Sequence, residues 1–92
     1  MDDTEILQRT YRNMKQIDRF FEGPEYQSLI DISIAAKTSD RKNAETILNQ
    51  VDLTDDSIKF FTKKKEWKRC YEESVKLVTI LRDCVDDRYD PI

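Results

Sequence analysis

One glycine, Gly23, and two prolines, Pro24 and Pro91, are all the turn-forming punctuation in this chain of 92 residues. Small all-β domains need many tight turns, and tight turns draw on Gly and Pro for the backbone angles other residues avoid. Long stretches rich in Lys, Glu, Leu, Arg and Gln, uninterrupted by either residue, favour helices instead. Apolar residues make up 38% of the chain and charged residues another 38%. That apolar share suffices for a core and argues against wholesale disorder. The length fits one small helical domain over residues 1–92, with a modest buried fraction.

Gly23-Pro24 divides the first two helices. Leu7, Tyr11, Met14, Ile17 and Phe21 recur at spacings of four and three, which predicts a helix over residues 4–22 with those side chains on its buried face. Asp2, Asp3 and Glu5 sit where a helix dipole favours negative charge. Gly just beyond a helix, followed by Pro, is an ordinary stop, and Pro24 suits the first turn of the next helix.

That next segment contains LIDISIAA, residues 29–36, in which Ile30, Ile32 and Ile34 alternate with Asp31 and Ser33 as in a half-buried strand. No other stretch alternates over four or more residues, and a lone strand would leave its backbone groups unpaired. The helical reading places Tyr26, Leu29, Ile30, Ser33 and Ile34 on one stripe, widened by Ile32, Ala35 and Ala36. A helix apolar around so much of its girth is expected at the centre of the bundle, with Asp31 turned to solvent or partnered.

Thr38, Ser39 and Asp40 are candidate N-caps for a third helix over residues 40–50, whose Ala44, Ile47, Leu48 and Val51 follow helical spacing. Thr54 then reads as the N-cap of a last, long helix over residues 55–87, with Asp55 and Asp56 in its first turn. Its seam is Trp67, Cys70, Ser74, Leu77, Leu81 and Cys84. One continuous helix of that length would measure about 50 Å. A break at residues 62–66 is the alternative, but no Gly or Pro forces it, and the continuous helix is preferred. Residues 85–92, acidic and containing Pro91, read as a frayed tail. The expected fold is all-α: a small antiparallel bundle of about four helices, the last one long.

Absences narrow the chemistry. The chain has no histidine, which removes the commonest general base and zinc ligand. One glycine rules out Gly-rich phosphate loops. Asp52, Asp55 and Asp56 lack the spacing and central glycine of an EF-hand loop. Cys70 and Cys84, on one helix, would lie about 21 Å apart, too far to bridge or to build a zinc site. They read as small core residues of a protein in a reducing, intracellular compartment, cytoplasmic or nuclear. No apolar run reaches membrane-spanning length and no secretory signal is visible at the N-terminus. No enzyme, metal or cofactor is expected.

The positive signal is KFFTKKKEWKRCY, residues 59–71. Phe60, Phe61, Trp67 and Tyr71 interleave with Lys59, Lys63, Lys64, Lys65, Lys68 and Arg69 in a chain of net charge −3. Such a stretch can dock an acidic or helical protein segment, with Trp and Arg as anchors, or hold phosphates and stacked bases. A third reading is a solvated basic face above core aromatics. The overall acidity favours protein over nucleic acid. Val75 and Ile80, off the seam, suggest that the last helix needs cover from a partner or a second copy. The chain is therefore expected to be a non-catalytic interaction module or small subunit of an intracellular complex. Four amphipathic helices with short connections are shared by many adaptors and subunits, and no stretch singles out one family.

Overall fold

The structure, a computed structural model, describes residues 1–35 and 39–92. Among the described residues there are four helices and no strand: α1 (Asp3–Glu22), α2 (Pro24–Ala35), α3 (Ser39–Lys63) and α4 (Trp67–Cys84). Each helix touches two others, so that α1, α4, α3 and α2 close a ring. The core cluster lies inside it, built on Ile17 and Phe20 of α1, Val51 and Ile58 of α3, Leu77, Val78 and Leu81 of α4, and Tyr89 beyond α4.

α1 begins where expected. Asp2 caps it by accepting a hydrogen bond from the Glu5 amide at 2.8 Å, meeting one of the amide groups a helix start leaves free. It stops at Gly23, whose amide donates to the Phe20 carbonyl at 3.2 Å. A Cβ on Gly23 would stand 2.8 Å from the Arg19 carbonyl oxygen, so the turn into Pro24 needs the missing side chain. The buried face of α1 is rotated from the expected one. It runs Ile6, Asn13, Ile17, Phe20, while Leu7 and Tyr11 are exposed. The interior side of this helix carries a buried amide, which apolar spacing alone cannot reveal.

α2 is a helix, but not the centre of the bundle. None of its residues is fully buried, and Ile34 is 72% exposed. Its apolar residues point in every direction, so α1 and α3 cover only one side. Asp31 is exposed and accepts from the Gln27 amide at 3.0 Å. Ala36 of the expected apolar stripe and the Thr38 cap fall outside the described residues. The helix with the most buried residues is α4, which packs between α1 and α3 and buries Cys70, Ser74, Leu77, Val78 and Leu81.

The partition of the second half also differs. No boundary falls at residues 51–54. Thr54 is buried inside α3 and donates to the Gln50 carbonyl one turn back, at 2.7 Å, so its hydroxyl needs no capping role. Val51, Thr54 and Ile58 continue the face begun by Ala44. The break comes instead at residues 64–66, replacing the long last helix with the 25-residue α3 and the 18-residue α4. There the Glu66 amide donates to the Phe61 carbonyl at 3.0 Å and the Lys65 amide to the Thr62 carbonyl at 3.0 Å. Lys65, between them, has φ +57°. This is a Schellman stop with lysine in the position glycine usually takes.

The tail is docked, not frayed. Tyr89 belongs to the core cluster. Gln16 of α1 donates to the Asp90 carbonyl at 2.7 Å and accepts from the Asp90 amide at 2.9 Å. The Ile92 amide donates to Asn13 Oδ1 at 2.7 Å, and Tyr71 donates to the Ile92 carbonyl at 3.1 Å.

Candidate interaction surface

The α3–α4 corner carries most of the basic-aromatic stretch. Phe60 and Phe61 end α3 as an edge-to-face pair with ring centroids 5.4 Å apart. Each ring is covered by a cation: Lys64 Nζ lies 4.8 Å from the Phe60 centroid and the Arg69 guanidinium 5.4 Å from that of Phe61. Such contacts hold the cations in place without neutralising them. Phe61 is half-buried, whereas Phe60 is 52% exposed. Trp67 opens α4 at 36% exposure.

The connection brings Lys63, Lys64, Lys65, Lys68 and Arg69 onto one exposed corner. Arg69 approaches Glu66 at 4.0 Å; the four lysines form no ion pair among the described residues. Behind the corner, Thr62 donates to the Ile58 carbonyl at 2.7 Å and meets Cys70 Sγ at 3.5 Å. The basic surface therefore stands on an anchored turn. Cys70 is buried there, while Cys84 is an exposed thiol at the end of α4.

Three of the anticipated contact residues lie elsewhere. Tyr71 is half-buried and holds the tail through Ile92. Ile80 is half-buried and packs against the core cluster. Val75 is half-buried on α4. None of the three joins the corner.

A second feature is not apparent from the linear pattern. Phe21 of α1 and Tyr26 of α2 stack edge to face at 5.0 Å. They line a cleft of about 560 Å³ together with Asp18 of α1 and Asp52, Asp55 and Asp56 of α3. Burial, then Asp56 and Asp55, raise the Asp52 carboxyl above its ordinary range. Lys59 lies at the edge of the cleft and is held by Asp55 at 3.1 Å, which raises its own pKa. The acidic run that reads as helix-start capping thus sits mid-helix, one turn from the basic corner.

Among the described residues no three His, Cys, Asp or Glu side chains are grouped to hold a metal ion. No described helix is long and apolar enough to cross a membrane. No protein family, curated protein or solved structure matches the chain, so its own geometry carries the functional reading.

Proposed function

We propose that the chain is a non-catalytic interaction module, or small subunit, that binds an acidic segment of another protein through the α3–α4 corner inside the cell. Neighbouring helices run antiparallel in this reading, and the corner is the end of the α3–α4 hairpin. The observation that carries it is the coexistence of unpaired lysines and exposed aromatic rings on one anchored turn. Exposed Trp and Phe supply apolar contact area, and the lysines steer an acidic partner into place. Two unpaired thiols suit a reducing compartment.

The test is affinity capture with the wild-type chain and with a Trp67→Ala/Lys68→Glu variant. The expected result is a stoichiometric partner that the variant loses. Binding to single- and double-stranded nucleic acid at two salt concentrations separates the other reading. Affinity that falls steeply with salt would assign the corner to phosphate backbones instead.

A further inference from the structure

One flank of α3 carries an ordered run of charge that joins the cleft to the basic corner. Its buried face is Ala44, Val51, Thr54 and Ile58. About 120° round the helix from it, one continuous line reads Asp52, Asp56, Lys59, Lys63, spaced four, three and four, all exposed, its first three residues along the cleft and Lys59 held by Asp55 at 3.1 Å. At 3.6 residues per turn these side chains share a stripe. Beside them stand Leu53 and Phe60, 69% and 52% exposed and seven residues apart on one flank. The stripe is thus acidic in its first half and basic in its second, with an apolar residue alongside each half.

A surface with this order complements itself when turned around. We propose that α3 pairs with α3 of a second copy, antiparallel about a two-fold axis at the level of Ser57 and Ile58. One register sets Asp52 against Lys63 of the second copy and Asp56 against Lys59 of the second copy. The two-fold repeats both pairs, as an isologous contact requires. The same register brings Leu53 to within two residues, about 3 Å along the axis, of Phe60 of the second copy. Both apolar pairs then lie on the same flank of the contact. Exposed ion pairs are individually weak, so the charges set register and direction while Leu53 and Phe60 give up their exposed surface. This deepens the reading of the chain as a protein-interaction module, because it names one partner.

Sedimentation velocity of the wild-type chain from about 10 to about 500 μM, at low and high salt, should show a monomer–dimer equilibrium that weakens with salt. Asp52→Lys/Asp56→Lys makes the stripe wholly basic, and Lys59→Asp/Lys63→Asp makes it wholly acidic. Each variant alone should dimerise roughly tenfold more weakly or worse, because like charges then face each other. Mixed in equal amounts they should form a heterodimer at least as tight as the wild-type dimer. All four substitutions are on the surface, and circular dichroism checks that each variant stays helical. A wild-type chain monomeric throughout overturns the proposal. So do variants that dimerise undiminished, or a mixture that forms no heterodimer. The corner variant Trp67→Ala/Lys68→Glu leaves the stripe intact and should dimerise as the wild type does. Loss of self-pairing with the captured partner retained therefore defeats only this inference, and the reverse defeats only the corner.

Discussion

Asn13 Nδ2 on α1 donates to Ser74 Oγ on α4 at 3.2 Å, across 61 residues of sequence, and both side chains are fully buried. The pair is complete on its other sides. Asn13 Oδ1 accepts from the Ile92 amide, and Ser74 donates to the Tyr71 carbonyl at 2.7 Å. Asn13 thus ties α1 to α4 and both to the tail. Asn13→Ala leaves a cavity and two unmet polar partners, and should cost roughly 2–4 kcal/mol. Ser74→Ala should cost about 1 kcal/mol, and a double-mutant cycle should show the two as coupled. Urea unfolding of the four chains measures both. A near-neutral Asn13→Ala would show that this network adds nothing.

The docked tail makes a second claim on stability. Tyr89 packs edge to face on Phe20 with centroids 6.4 Å apart and is 9% exposed. Tyr89→Ala should cost about 3 kcal/mol, a large share for a chain this small. Limited proteolysis should cleave the variant rapidly after Arg88 while sparing the wild type. Equal cleavage rates would mean that the tail is not held.

Asp86 and Arg88 secure the turn that leads into Tyr89. Arg88 donates to Asp86 from its guanidinium at 2.6 Å and from its amide at 2.9 Å. Those bonds, the side-chain one foremost, hold the Asp86 carboxyl down to about 2. A carboxyl with a folded pKa below its unfolded value, about 3.9, stabilises the fold when ionised. Its contribution is fully present above about pH 4 and is lost as pH falls toward 2. Carboxyl-detected NMR should place the Asp86 midpoint near 2 in the wild type. Arg88→Ala should return it to the ordinary range; an unshifted midpoint would sink the assignment.

Local signals in the chain predict local features well here. Gly23-Pro24 marks the α1–α2 turn, and the spacing of Cys70, Ser74, Leu77 and Leu81 identifies the inner face of α4. What misleads is chemistry completed from far away. Asn13 breaks the apolar period of α1, so Leu7 and Tyr11 take the place that Ile6 and Asn13 occupy in the structure; the partners that make Asn13 a core residue lie 61 and 79 positions on. The tail reads as frayed because nothing within it shows that Gln16 and Asn13 await its backbone. In the candidate surface, composition identifies the cations and aromatics of residues 59–71, but not that Tyr71 faces the tail while Phe60 and Trp67 face solvent. The acidic run at 52–56 reads as a cap only if the third helix ends at Gln50, whereas α3 runs on to Lys63.

Lys65 ends α3 without the glycine that such a stop usually carries. Its φ of +57° places a side chain in the left-handed region, which costs an ordinary residue about 1–2 kcal/mol. The two Schellman hydrogen bonds at Glu66 and Lys65 hold it there. Glycine carries no such penalty, although it loses more chain entropy on folding. Lys65→Gly should therefore stabilise the chain by roughly 0.5–1 kcal/mol. Lys65→Val, branched at Cβ, should destabilise it by a similar amount or more. Thermal unfolding of the two variants against wild type decides the point. If Lys65→Gly is destabilising and Lys65→Val neutral, the left-handed turn is absent and α3 continues into α4 without a break.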